Sequence, residues 1–171
     1  MGLAFARAAL EAGHAVIASS RNPSKSKDLI EEFTSRGSHW IALDIAASED
    51  EVNAQLDAAI AIHGRIDVLF NNAGQPFSGT IEDTPLSIVR KAHEVNLFGT
   101  WAVIKRIVPV MRKQKSGTII TNGSVLGFTS MPTAAVYAST KHALVGLMDV
   151  LSWEMGVFGV RAIILEPGGV R

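Results

Sequence analysis

Ile66-Asp67-Val68-Leu69-Phe70-Asn71-Asn72-Ala73-Gly74 is a nearly unbroken apolar run that closes on two amides and two small residues. A strand covered on both faces needs such continuous apolar character, whereas a strand with one wet face alternates. The run predicts a strand over 66–70 that delivers Asn71 to the carboxyl edge of a parallel sheet. Small residues at that edge allow close backbone approach, although amides at a strand end also make ordinary turns.

Outward from this strand, segments of two periods alternate with short turns, the pattern of parallel strands joined by crossover helices. A helix is expected over 2–12, stopping at Gly13, and then a strand over 14–19. Pro23 and Ser24 open a second helix toward Arg36, closed by Gly37, and a strand follows over 40–43. Ser48 with Glu51 three residues later forms a capping-box pattern for a helix reaching His63 and stopping at Gly64. Pro85 begins a long helix to about Lys113, interrupted in its last turns by Pro109. A strand over 118–122, a second long helix over 134–158 and a strand over 160–165 complete the order. The expectation is one α/β domain over 1–171, a doubly wound parallel sheet with helices on both faces.

The 171 residues are 47% hydrophobic and 19% charged, ordinary for a globular domain, and sixteen basic residues balance sixteen acidic ones. A formal charge of zero leaves no footprint for nucleic acid or an anionic membrane. The absence of cysteine excludes a disulfide framework and a thiolate metal site, and suits a reducing compartment, so the cytoplasm is the expected location. Ala6 stands where a myristoylation signal needs Ser or Thr, and no apolar stretch is long enough for a membrane span. His63 and His142 have no second ligand at metal spacing, so no metal is expected.

Tyr137 and Lys141, in Tyr-Ala-Ser-Thr-Lys, put a phenol and an ammonium one turn apart on a helix. A nearby ammonium favours the phenolate, as acid–base work on an alcohol or ketone requires; a solvated helix pair is the plain alternative. The pair has company: Ser124 in Thr-Asn-Gly-Ser-Val-Leu-Gly, Asn96 in Glu-Val-Asn-Leu-Phe-Gly, Asn71-Asn72-Ala73-Gly74, and Pro167-Gly168 downstream. In order and spacing the chain resembles the short-chain dehydrogenases/reductases, NAD(P)-dependent oxidoreductases on a Rossmann fold. The resemblance runs from Gly2 to the end.

It implies an acid–base role for Tyr137, with Lys141 also reaching the nicotinamide ribose. Ser124 would hold the substrate oxygen, and Asn96 would fix a water that feeds protons to the lysine. A turn serine and a polar helix residue are the plain readings of those two. Cofactor contacts are implied for Gly2, Asn71, Ala73, Gly74, Pro167, Gly168 and Val170. Asp44 matches an adenine contact, with a helix N-cap as its rival. Ser20 and Arg21 replace the acidic residue that NAD-preferring members carry after the first helix. Hydroxyls and a guanidinium suit a 2′-phosphate, so NADP (NADPH) is expected in preference to NAD. The expected substrate is a small alcohol or carbonyl, lipophilic if Phe77, Leu126, Phe128 and Met131 line its pocket. Apolar residues on the two long helices, Trp101, Val103, Ile104, Ile107 and Val108 with Leu144, Leu147, Leu151 and Trp153, suggest a homodimer.

The family opens with a strand and a glycine-rich turn, and continues past Pro-Gly-x-Val with a substrate segment and a further strand. Gly2 would be the last glycine of that turn. The sequence is therefore expected to be a piece of a longer enzyme, lacking the first strand and the C-terminal part. An inactive fragment is the alternative function; a sugar-nucleotide epimerase or dehydratase is a lesser one, since it shares Tyr-x-x-x-Lys but tends to lack Asn-Asn-Ala-Gly.

Overall fold

Capping chemistry sets the helix boundaries. In a computed structural model that describes residues 1–169, α1 (Gly2–Glu11) ends where Gly13 takes positive φ and His14 donates its N–H to Ala9 O at 3.0 Å. That bond closes a Schellman stop, so the strand expected from residue 14 begins later, as β1 (Ile17–Ser20). The helix expected from Pro23 is a short 3₁₀ turn, Pro23–Lys25, capped by Asn22, with α2 (Lys27–Thr34) after it. Following β2 (His39–Ala42), Ser48 and Glu51 make the expected reciprocal capping box at the start of α3 (Glu49–His63).

The run that opened the sequence forms β3 (Val68–Asn71), two residues late. Ile66 is withheld from the ladder because the Gln114 carboxamide takes both its backbone groups, at 3.0 and 2.9 Å. Next come α4 (Leu86–His93), a π-helical turn at Glu94–Phe98 and α5 (Gly99–Gln114), continuous along one long helix. The expected break at Pro109 does not occur. The carbonyl that loses its partner there belongs to Lys105, an exposed residue, and the irregularity lies instead in the π turn. The chain continues through β4 (Gly117–Asn122), α6 (Ala135–Gly156) and β5 (Val160–Leu165).

All strand pairs are parallel, but the ladders form two sheets: β1 with β2, and β3–β4–β5 in that order. Among the described residues no strand joins β1 to β3. Helices cover both faces. Leu69 turns toward the core built by Val103, Ile107 and Met111 of α5, Met148 and Leu151 of α6, and Ile119 of β4. Phe70, on the other face, stacks on Phe5 of α1 at 4.1 Å. Each large side chain buried in that core contributes roughly 1.5–3 kcal/mol. Gly99 fixes the entry of α5, since a Cβ there would stand 2.5 Å from Ile45 O.

Several residues nominated for a dimer face belong to this core. Val103, Ile104, Ile107, Leu144 and Leu151 are buried, while Trp101 is 52% and Trp153 82% exposed. The stripe that matches the sheet is the inward one; the outward stripe also includes Phe98, Val150 and Val157. Among the described residues no helix is long and apolar enough to cross a membrane, and no group of metal-ligating side chains forms.

Candidate active site

The strand ends place the site. Asn71 closes β3 in register with Thr121 and donates its amide to Thr121 Oγ1 at 3.3 Å, tying neighbouring strands together. Asn122 closes β4, and its backbone carbonyl accepts a 2.7 Å bond from the Lys141 ammonium. Ser124 follows two residues later, largely buried and extended. Its Oγ accepts the Leu126 N–H at 3.2 Å, which leaves the hydroxyl proton free to be donated. The 3₁₀ turn after it lies against α6: a Cβ on Gly127 would meet Val145 Cγ2 at 3.1 Å and Lys141 O at 3.4 Å. Val125 N–H donates to Pro167 O at 3.0 Å, which holds the end of β5 beside the serine.

On α6, Lys141 Nζ lies 5.5 Å from the centre of the half-buried Tyr137 ring, the one-turn spacing expected for the pair. Lys141 is only 4% exposed and forms no ion pair among the described residues. Burial lowers its ammonium from the ordinary 10.5 to about 8. A buried cation with no counter-charge is costly to hold, and such groups concentrate where chemistry is done. The Tyr137 hydroxyl makes no hydrogen bond to another described residue.

Asn96 lies in the π turn, 1% exposed, with its side chain almost fully committed. Its Oδ1 accepts Gln75 N–H at 2.8 Å, and its Nδ2 donates to Gln75 O at 2.9 Å and Thr140 Oγ1 at 3.2 Å. Thr140, fully buried, passes the chain on to Tyr137 O at 2.7 Å. Asn96 therefore clamps the segment after β3 to α6, one residue from Lys141 and three from Tyr137. Gly74 makes room for the clamp, because a Cβ there would stand 3.3 Å from Asn96 Oδ1 and 3.8 Å from Lys141 Nζ. Thr140's part escaped the motif reading; the one available signal is a hydroxyl residue immediately before the lysine.

Three of the remaining nominees lie at the other sheet. Ser20 ends β1 with Arg21 just after it, and Asp44 follows β2. Asp44 is not the N-cap of α3, which is Ser48; its Oδ1 accepts Ala46 N–H at 3.1 Å in a local turn. Gly2 starts α1 with no side-chain cap, and a Cβ on it would meet Asn72 Nδ2 at 2.5 Å, so the helix N-terminus abuts the end of β3. Ala73 and Gly168 are exposed, and Val170 lies outside the described residues. Of the nominated substrate-lining residues, Leu126 and Phe77 are half-buried, whereas Phe128 and Met131 are exposed. Met131 lines an open, mostly apolar groove of about 580 Å³ with Ile81, Pro132, Thr133 and Ala138. Thr133 holds φ 65, a rare conformation for a β-branched residue, and is latched by Gly79 N–H to its carbonyl at 2.8 Å and Ser78 Oγ to its hydroxyl at 3.2 Å.

Parallel strands between helical layers, with polar groups gathered at strand carboxyl ends, define a doubly wound α/β protein. The chain belongs to the short-chain dehydrogenase family, whose sequence pattern it matches over residues 1–171. It is 37% identical over 174 residues to oxidoreductase BOA17 of Botryotinia fuckeliana, covering 100% of this chain and 62% of that one. A short-chain dehydrogenase from Streptomyces avermitilis superposes with a TM-score of 0.92 at 32% identity, covering 99% of this chain and 61% of that structure. ElxO with NADP bound superposes with a TM-score of 0.91 at 28% identity, covering 99% and 68%. The chain thus spans less than two thirds of the first two.

Proposed function

We propose that the chain carries the catalytic constellation of an NADP-dependent oxidoreductase that interconverts an alcohol and its carbonyl. The observation that carries this reading is Lys141: a buried, uncompensated cation one helical turn from Tyr137, bonded to the carbonyl of Asn122, two residues before a serine whose hydroxyl proton is free. Ser124 donates that proton to the substrate oxygen and orients it. Tyr137 Oη exchanges a proton with the same oxygen, and the charge of Lys141 stabilises the negative charge that develops on the phenol. Asn96 acts through Thr140 and Gln75 as the clamp that holds these elements in register.

The chain's residues fit a nicotinamide dinucleotide. The uncapped N–H groups of α1 suit a pyrophosphate, and Gly2 would meet it there while Asn71, Ala73 and Gly74 at the end of β3 would meet the neighbouring part of the cofactor. Ser20 and Arg21 would meet a 2′-phosphate, Asp44 the adenine and Lys141 the nicotinamide ribose, and Pro167 and Gly168 would also contact the cofactor. When bound, such a cofactor supplies the hydride acceptor or donor. The NADP bound to ElxO supports the same choice here. The exposed stripe of Phe98, Trp101, Val150 and Trp153 supports a homodimer.

NADPH and NADH titrations followed by tryptophan fluorescence, with turnover on a panel of carbonyls, test the reading. The expected result is tighter binding of NADPH, with Tyr137→Phe keeping the binding and losing turnover. A Tyr137→Phe variant as active as the parent would overturn the mechanism; preference for NADH would overturn the cofactor choice.

A further inference from the structure

The end of β1 is a cluster of donors. Arg21 is exposed and has no ion-pair or hydrogen-bond partner among the described residues. Asn22, which could offer an acceptor, spends its Oδ1 on Ser24 N–H and Ser24 Oγ, at 3.1 and 2.5 Å. Ser19 points to the opposite face of the strand from Ser20. That leaves Ser20, and its oxygen accepts the Trp40 indole N–H at 3.0 Å.

The bond is built into the sheet. Trp40 pairs in register with Ala18, so Ser20, two residues on and on the same face, is its diagonal neighbour within reach of a large ring. Fully buried Phe33 of α2 packs edge-on against the indole at 5.5 Å and holds its orientation. The indole can only donate, so the serine oxygen it meets must accept. The hydroxyl proton of Ser20 is then turned away from Trp40, free for a ligand.

We infer that Trp40 is a positioning residue for cofactor choice: by donating to Ser20 Oγ it occupies one acceptor site and turns the hydroxyl proton outward, and so favours an adenosine ribose bearing a 2′-phosphate over one bearing a 2′-hydroxyl. A phosphate dianion offers only acceptors and needs donors around it, whereas a ribose hydroxyl is best held by a strong acceptor. With one lone pair of Ser20 already taken, the site serves the first better than the second. The inference rests on the cofactor reading above and adds to it the residue that sets the sense of the Ser20 bond.

The test is a double-mutant cycle on Trp40→Phe and Ser20→Ala, read by calorimetric binding of adenosine 2′,5′-bisphosphate and of AMP, which needs no turnover. Phenylalanine keeps an aromatic ring against Phe33 and removes the donor together with the five-membered ring that carries it; the Ser20→Ala background separates the lost bond from the lost packing. Trp40→Phe is expected to lower the preference for the bisphosphate about fivefold, as the fixed donor geometry of one charge-assisted bond is lost, with AMP binding unchanged. In the Ser20→Ala background the same substitution should change nothing further. An unchanged preference in Trp40→Phe, an equal loss for both ligands, or an effect that persists without the serine hydroxyl would each overturn the inference while leaving the cofactor reading in place. Failure of the parent to prefer the bisphosphate would overturn both.

Discussion

Replacing Lys141 with methionine keeps the unbranched apolar stem, one heavy atom shorter, and removes its charge, and the structure fixes the sign and size of the result. Burial lowers the ammonium from 10.5 to about 8. At about 1.4 kcal/mol per pH unit, the folded state carries a penalty of roughly 3 kcal/mol wherever the group is charged both folded and unfolded. The penalty is fully present below about pH 8. Between about pH 8 and 10.5 the unfolded chain binds more protons than the folded one, so this penalty is relieved as pH rises. Lys141→Met escapes it but leaves the Asn122 carbonyl without its 2.7 Å donor, a loss of about 1–3 kcal/mol. Near pH 7 the variant should match the parent or exceed it by up to about 2 kcal/mol, while losing turnover. By about pH 10.5 that difference should have moved by about 3 kcal/mol in the parent's favour. Urea unfolding of both proteins, followed by tryptophan fluorescence across this range, measures it. A difference that stays constant with pH would refute the claim that Lys141 is held as a buried, uncompensated cation.

Thr140→Val removes one hydroxyl and strands an Asn96 N–H in the core, so it should cost about 1–3 kcal/mol in urea unfolding and lower turnover, with Thr140→Ser restoring both. Full activity in the valine variant would remove the clamp from the account. Gly99→Ala places a methyl 2.5 Å from Ile45 O and is expected to destabilise by about 1–3 kcal/mol; a midpoint equal to the parent's would show that the helix entry adjusts freely. Trp101→Ser with Trp153→Ser should halve the mass seen by sedimentation velocity if the outward stripe holds two copies together, and an unchanged mass would place the interface elsewhere.

Local chemistry was legible in the sequence wherever a few neighbouring residues decide the outcome. Ser48 and Glu51 cap α3 as their spacing requires, and the apolar run before Asn71 became a paired strand of the sheet. Boundaries drifted where distant groups intervened. His14 was lost to the stop of α1, and Ile66 was taken by Gln114, 48 residues away. At the candidate site, Tyr137, Lys141 and Ser124 were nominated by their motifs. The clamp of Asn96, Gln75 and Thr140 was not, because its bonds span 21 and 44 residues and depend on a π turn that no local pattern announces. The donor state of Ser20 was hidden for the same reason: it is set by an indole on the neighbouring strand.

The crystal structure of the protein with NADP⁺ tests the central claim most directly. The account predicts the pyrophosphate at Gly2 and the N-terminus of α1, with the nicotinamide ring beside Lys141 and its C4 about 3–3.5 Å from a position that Ser124 Oγ and Tyr137 Oη both reach. A ring turned away from Tyr137, or a serine oxygen on the far side of the sheet from the phenol, would contradict it.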